Sequence, residues 1–238
     1  TLYQPQVDAE THALVGVETL VRWRHPEFGI LAPDRFVPIA REINIEADID
    51  AVVLNLAEHD LVRCQASGLD LPKISVNVSA GRLSASDLVE SLAGATLAAD
   101  RLSLELLESS FLDETDERLL WTLDRLREMG IGIEIDDFGS GFASILALAR
   151  VGPDRLKVDR GIVQPATIDT AMARTLRHIV EIGLANGIRV TAEGVESAEH
   201  AELAREAGCD VLQGFHFGRP MDADALIATY GPRRAASA

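Results

Sequence analysis

The sequence predicts an α/β fold, a (β/α)8 barrel whose first strand runs antiparallel to the second. Three observations lead there. Four times a helical stretch ending in Gly is followed almost at once by an apolar strand: Gln65 to Gly68 before Ile74 to Val78, Glu128 to Gly130 before Ile131 to Asp136, Asn186 to Gly187 before Ile188 to Glu193, and Ala207 to Gly208 before Val211 to Phe215. Gly after a helix adopts the left-handed cap conformation cheaply, and strands alternating with helices mean a parallel sheet. Eight β-type runs can be counted in all, the number a barrel of this kind closes with. The first two runs are joined by only a few residues near Asp8 to Ala13, too few for a parallel crossover of about a dozen or more.

Taken in order, the runs lie near Leu2 to Val7, Val15 to Arg22, Ile74 to Val78, Leu102 to Leu106, Ile131 to Asp136, Arg155 to Val158, Ile188 to Glu193 and Val211 to Phe215. Between them apolar residues keep helical spacing at Ile49, Val52, Val53 and Leu56, at Leu119, Leu123 and Leu126, and at Met172, Leu176, Ile179 and Val180. From Arg24 to Glu42, Pro26, Gly29, Pro33 and Pro38 break the pattern before a long helix from about Glu46, and this stretch is read as a lobe over the barrel mouth. Residues 1–232 form a single domain in this reading, with a frayed tail from Arg233 to Ala238. Because the chain opens at Thr1 inside a strand-like run, it is expected to be excised from a longer multidomain protein.

Among the 238 residues, 22 Lys and Arg stand against 38 Asp and Glu, a formal net charge of −16. Neutralising the phosphates of polymeric nucleic acid takes a surplus of clustered cations, so that partner class is excluded. Apolar residues at 47% and charged residues at 25% are a globular balance and argue against a disordered acidic segment. The two cysteines, Cys64 and Cys209, build neither a disulfide framework nor a zinc cluster and fit a reducing compartment. No apolar run reaches the roughly 18 residues of a membrane span. The domain is accordingly placed in the cytoplasm, in a full-length protein that could be membrane-anchored through segments outside this chain.

Nearly every strand closes on a carboxylate, amide or lysine: Glu18, Asn77, Glu105, Asp136 with Asp137, Lys157 with Asp159, Glu193 and Gln213. The C-terminal ends of parallel barrel strands converge on one mouth, where barrel enzymes carry their sites. Any one of these residues could serve as a helix N-cap. Glu18 and Glu105, however, sit inside strand alternation beside Val17, Leu104 and Leu106, and are not turn residues. So many converging carboxylates would not stay ionised without compensation, which divalent cations supply. Oxygen-rich, histidine-poor sets favour Mg²⁺ or Mn²⁺, and the adjacent Asp136 and Asp137 can feed two ions. Two such ions clamp the attacking water and the leaving oxygen of a phosphoester.

Two other motifs carry less. Gly139, Gly141 and Ser144 followed by Asp159 imitate a dinucleotide-binding fingerprint, but the third Gly is missing and two aspartates occupy the pyrophosphate position. His59 and Asp60 lie on an amphipathic helix with no partner histidines.

The ordered motifs YQPQVD, GVETLVRWRHPEFG, VNVS (Val76 to Ser79), LELLES (Leu104 to Ser109), DDFGSGFAS (Asp136 to Ser144), LKVD (Leu156 to Asp159), AEGVE (Ala192 to Glu196) and QGFHFGRP from Gln213 resemble those of the EAL-type phosphodiesterases that hydrolyse cyclic di-GMP. The resemblance spans nearly the whole chain and implies a TIM-type barrel with a reversed first strand, Mg²⁺ or Mn²⁺ as two ions, and hydrolysis to linear 5′-pGpG. It implies that Glu18, Asn77, Glu105 and Asp136 hold one ion and that Asp136 and Asp137 hold the second, with Glu193 a further candidate ligand there. Lys157 and Glu193 would act on the attacking water. Arg22 would contact a phosphate, Gln4, Leu20, Asp159, Glu196 and Gln213 would line the rest of the substrate cleft, and Glu108 would brace the loop after Asp137. It further implies a homodimer through that loop and the following helix, and a sensor or cyclase domain elsewhere in the full-length chain.

The chain departs from the family pattern at Thr19 in the signature tripeptide, at Leu107, and at Phe142 and Ala143 after the loop; the last three put the loop's rigidity in question. A reading that needs no family also follows from alternation: if Asp136 and Lys157 point into the barrel, so do Glu134 and Arg155, and these should pair. Three functions remain open at this point: hydrolysis, a receptor that binds the nucleotide without cleaving it, and an unrelated metal-dependent enzyme acting on a carboxylate substrate.

Overall fold

The computed structural model describes residues 1–95, 98–108, 117–141 and 145–232. Its strands are β1 (Leu2–Asp8), β2 (Leu14–Leu20), β3 (Trp23–His25), β4 (Gly29–Leu31), β5 (Ile74–Asn77), β6 (Leu102–Leu107), β7 (Gly132–Phe138), β8 (Arg155–Val158), β9 (Arg189–Ala192) and β10 (Val211–Gln213). Eight of them close into a barrel in the order β1-β10-β9-β8-β7-β6-β5-β2. Neighbours are parallel throughout except β1, which is antiparallel to both β2 and β10. A turn within residues 8–13, closed by the Asp8 carboxylate accepting from Thr11 N at 2.7 Å, is what reverses it.

The helices are α1 (Val37–Glu42), α2 (Glu46–Ala66), α3 (Ala80–Leu83), α4 (Leu88–Ala93), α5 (Glu117–Glu128), α6 (Ile145–Val151), α7 (Arg160–Val163), α8 (Thr170–Ala185), α9 (Ala198–Ala207) and α10 (Ala223–Tyr230). Side-chain caps start several of them: Asp169 accepts from Ala171 N, Ser197 from His200 N and Asp222 from Ala225 N. At the other end, the four glycines of the repeated unit, Gly68, Gly130, Gly187 and Gly208, all have positive φ, between 70° and 96°. That conformation turns each helix back toward its strand.

The apolar core lies between barrel and helices. Ile74, Val76, Leu104, Leu106, Ile133, Ile135, Leu156 and Val190 face outward from the strands and meet Leu61, Leu123, Leu126, Leu148, Leu176 and Val180. On α2 the buried stripe is Val53, Ala57, Leu61 and Cys64, whereas Val52 and Leu56, expected on the apolar face, are exposed. The i, i+4 row through Val53 wins because it alone faces the barrel. Thr19 also faces outward into the core, its hydroxyl without a partner.

The lobe between the second and third barrel strands is a β3–β4 hairpin followed by a 3-10 turn at Pro33–Arg35 and α1. Trp23 packs edge-on against His25 and Phe36 at centroid distances of 4.8 and 5.9 Å. Asp60 proves structural: it accepts from Tyr3 Oη at 2.7 Å and from Arg63 at 2.9 Å. Both cysteines are buried thiols. No helix among the described residues is long and apolar enough to cross a membrane. The tail 233–238 lies outside the described residues, as do Phe142, Ala143 and Ser144, and with them the loop portion of the expected dimer contact.

The inside of the barrel is polar. Gln6, Ser75, Ser103, Glu105, Glu134, Arg155, Lys157, Thr191 and Gln213 are all at most 3% exposed. Arg155 Nη1 and Glu134 Oε1 lie 3.5 Å apart, the pair that alternation predicts, and Ser75 Oγ donates to the same carboxylate oxygen at 3.3 Å. Removing one member of a buried pair strands the other charge at a cost of about 3 to 5 kcal/mol. Arg155→Ala should therefore unfold at distinctly lower denaturant concentration than wild type; an unchanged midpoint would contradict the pairing.

Candidate active site

At the C-terminal ends of the strands, one ammonium holds the site together. Lys157 on β8 is fully buried, and its Nζ lies 2.8 Å from Glu193 Oε1, 2.9 Å from Glu105 Oε2, 2.9 Å from Asp136 Oδ1 and 3.3 Å from Glu18 Oε2. Parallel register aligns the donors of these residues: Asn77 stands opposite Glu105, and β9 delivers Glu193 just beyond its last residue. Asn77 Nδ2 donates to Glu18 Oε1 at 3.1 Å and to Glu105 Oε2 at 3.0 Å, which leaves its Oδ1 as the atom available to a cation.

Two successive strand residues ordinarily face opposite sides of a sheet. Asp136 and Asp137 escape that rule because the β7–β8 register shifts between Ile135 and Phe138 and Asp137 adopts φ 53°. A left-handed conformation is uncommon for a residue other than Gly and marks a constrained site. Its result is two overlapping sets of oxygens: Glu18, Glu105 and Asp136 each offer a ligand atom within 4.8 Å of the others, and so do Asp136, Asp137 and Glu193.

The electrostatics are unbalanced. Burial alone would discharge Lys157, but Asp136, Glu105, Glu18 and Glu193 outweigh it and hold the ammonium well above its usual pKa. Burial, then the neighbouring carboxylates, pushes Glu105 well above the ordinary range and Glu193 up to about 8. Burial and Asp136 push Asp137 up to about 6. Glu18 goes the other way: burial opposes its charge, yet Lys157 and hydrogen bonds from Gln213 and Asn77 together keep it low. If all were ionised, five carboxylates would outnumber the one ammonium by four charges, an excess that protons or cations must relieve. Glu105 Oε1 is buried without a hydrogen-bond donor, and Asp136 Oδ1 is met by the Lys157 ammonium. An orphaned acidic oxygen among clustered carboxylates suits a hard cation such as Mg²⁺ or Mn²⁺.

Above this centre opens a cleft of about 440 Å³. Gln4, Leu20, Arg22, Asp159, Glu196 and Gln213 all line it, together with Glu18, Asp136, Asp137 and Glu193; Asn77 and Glu105 lie deeper. Arg22 Nη1 donates to Val21 O, and Glu196 is exposed at the rim. Asp159 is also the N-cap of α7, accepting from Gly161 N at 2.9 Å. Arg160, Gln164 and Phe215 line the same cleft, none of them singled out by the sequence. Arg160 directly follows the LKVD motif, and its place at the head of α7 was the available signal. Phe215 carries Arg219 stacked 4.2 Å over its ring. Beside the cleft, Glu108 Oε2 accepts from Gly139 N at 2.9 Å and Gly141 N at 3.2 Å, tying the end of β6 to the loop after Asp137, while Leu107 is exposed.

Fold and site together define a (β/α)8 barrel with an acidic centre at its mouth that can hold divalent cations. The chain belongs to the EAL domain family, whose model matches residues 1–220. It is 37% identical over 231 residues to the bifunctional diguanylate cyclase/cyclic di-GMP phosphodiesterase MucR of Pseudomonas aeruginosa, covering 95% of this chain and 34% of MucR. To the cyclic di-GMP phosphodiesterase NbdA of the same organism it is 36% identical, covering 94% of this chain and 29% of NbdA. The chain thus spans roughly a third of the length of these curated relatives. The solved structure of the MucR phosphodiesterase in complex with c-di-GMP superposes with a TM-score of 0.87 at 36% identity, covering 94% of this chain and 92% of that one. The manganese/cyclic di-GMP complex of Klebsiella pneumoniae BlrP1 superposes with a TM-score of 0.78 at 27% identity, covering 92% and 55%.

Cations that bind only the folded state stabilise it, by about 2.7 kcal/mol at a hundredfold excess over Kd. Mn²⁺ should raise the melting temperature of the wild-type chain, and Glu105→Gln should abolish most of that rise. An equal Mn²⁺ shift in the variant would place the cation elsewhere.

Proposed function

We propose that the chain is a divalent-metal-dependent phosphodiesterase that hydrolyses cyclic di-GMP to linear 5′-pGpG. The observation that carries this reading is the paired oxygen sets sharing Asp136 at the floor of a cleft lined by Arg22 and Arg160. Membership of the EAL family and likeness to MucR, NbdA and the manganese complex of BlrP1 support it.

Glu18, Asn77, Glu105 and Asp136 would hold one Mg²⁺ or Mn²⁺, and Asp136 and Asp137 the other. Bound there, the ions supply Lewis-acid stabilisation of the charge that develops on the phosphate and lower the pKa of water. The chain's own residues do the rest. Arg22 and Arg160 orient the dianionic nucleotide; the planar guanidinium matches phosphate oxygens with paired donors. Lys157 is too enclosed to reach bulk solvent and acts from within, fixing the carboxylates and leaving a positive charge beneath the reacting phosphate. Glu193, at the edge of the site, accepts the proton of the attacking water. The water oxygen bonds to phosphorus, the P–O3′ bond breaks, and the 3′ oxygen leaves as a hydroxyl once it takes up a proton equivalent to the one Glu193 accepted. Gln4, Leu20, Asp159, Glu196 and Gln213 would contact the remaining nucleotide surface.

Incubation of the purified chain with cyclic di-GMP and Mg²⁺ or Mn²⁺, followed by chromatography, tests the reading. Linear dinucleotide is expected from wild type and not from Glu18→Ala. Binding without product under either metal would overturn hydrolysis and make the chain a receptor for the nucleotide.

A further inference from the structure

Beneath the metal centre, a directional run of hydrogen bonds crosses the barrel interior from Arg155 to Glu18. Arg155 Nη1 donates to Gln6 Oε1 at 3.3 Å, Gln6 Nε2 donates to Gln213 Oε1 at 2.9 Å, and Gln213 Nε2 donates to Glu18 Oε2. Gln6 is fully buried on β1, opposite Gly16 of β2 and Gln213 of β10 in the strand register. A Cβ at Gly16 would come within 3.1 Å of Gln6 Oε1, so the bare backbone there leaves the amide its room.

The polarity of this run has only one solution. A guanidinium can only donate, and an ionised carboxylate can only accept. Between two such ends, two amides satisfy every contact in a single orientation, with each oxygen toward Arg155 and each NH₂ toward Glu18. Reversing either amide sets oxygen against oxygen or N–H against N–H. The remaining contacts agree: Glu134 anchors Arg155 at 3.5 Å, and the second Gln213 hydrogen points to Gln4 Oε1 at 3.4 Å.

We propose that Gln6 is a positioning residue for the metal centre: oriented by Arg155, it turns the Gln213 amide so that its NH₂ holds Glu18 Oε2 in place for the cation. This rests on the metal-dependent reading above and extends it to a residue that touches neither cation nor substrate. Partners that orient a metal ligand are commonly worth ten- to a hundredfold in metal affinity. It also gives Gln213 a task at Glu18 in addition to its place in the cleft wall.

The test is calorimetric titration of Mn²⁺ into the metal-free chain, comparing wild type with Gln6→Met and Gln6→Glu, each checked for folding by a thermal melt. Met fills a similar volume and cannot relay a hydrogen bond. Glu keeps the contact with Arg155 but cannot donate, so the Gln213 amide must reverse and face Glu18 with its oxygen. Both variants should lose about tenfold or more in Mn²⁺ affinity. Gln6→Glu is the sharper arm, because added negative charge alone would tighten cation binding, and it carries the test if Gln6→Met does not fold. A smaller loss, or a gain, in a folded variant overturns the inference while leaving the phosphodiesterase reading intact. Failure of the wild-type chain to take up Mn²⁺ overturns both.

Discussion

A buried ammonium touching four carboxylates is the constraint around which the rest of the barrel is arranged. Lys157 is completely enclosed, and enclosure on its own would strip its charge. It stays charged because Glu18, Glu105, Asp136 and Glu193 surround it, and they in turn can lie so close together because it is there. The arrangement leaves negative charge in excess, which in the absence of cations is relieved by protonation, as the raised pKa values of Glu105 and Glu193 express. A centre that must choose between protons and metal ions is poised to bind the latter. On the proposed reading, cations drawn by the same excess would bridge a chain of formal charge −16 to an anionic nucleotide.

Placing this chemistry inside the barrel moves the hydrophobic core outward. Barrel interiors are ordinarily filled with layers of branched apolar side chains; here those layers are Gln6, Ser75, Glu134, Arg155 and their neighbours. Every such group must be satisfied by hydrogen bonds, and a polar interior of this type is costly where partners are missing. Glu134 with Arg155 and the amides of Gln6 and Gln213 meet part of that demand below the acidic centre, and Asn77 meets part of it within the centre, while Glu134 Oε2, Arg155 Nε, Ser103 Oγ and Thr191 Oγ1 stay without a partner among the described residues. Apolar burial is therefore concentrated between the outer faces of the strands and the helices, while the interior holds the polar groups.

Much of this was legible in the chain. Helix-Gly-strand units marked the parallel strands, the short connection at Asp8 to Ala13 marked the reversed one, and alternation alone paired Glu134 with Arg155. What could not be read has identifiable causes. Asp136 and Asp137 reach the same site through a register shift and a left-handed backbone, neither of which composition or periodicity encodes. Val52 and Leu56 keep helical spacing with Val53, yet which row faces the barrel depends on how α2 is rotated against it. Gln6 looks like any polar strand residue until the register sets it beside Gln213, and Arg160 and Phe215 join the cleft only through the path of the backbone after β8 and β10.

The central claim is that the carboxylates around Lys157 are a metal centre, and anomalous diffraction from crystals grown with Mn²⁺ tests it most directly. Two peaks are expected at the barrel mouth, one among Glu18, Asn77, Glu105 and Asp136 and one beside Asp136 and Asp137. A mouth without anomalous density under saturating Mn²⁺, its carboxylates still gathered on Lys157, would contradict it.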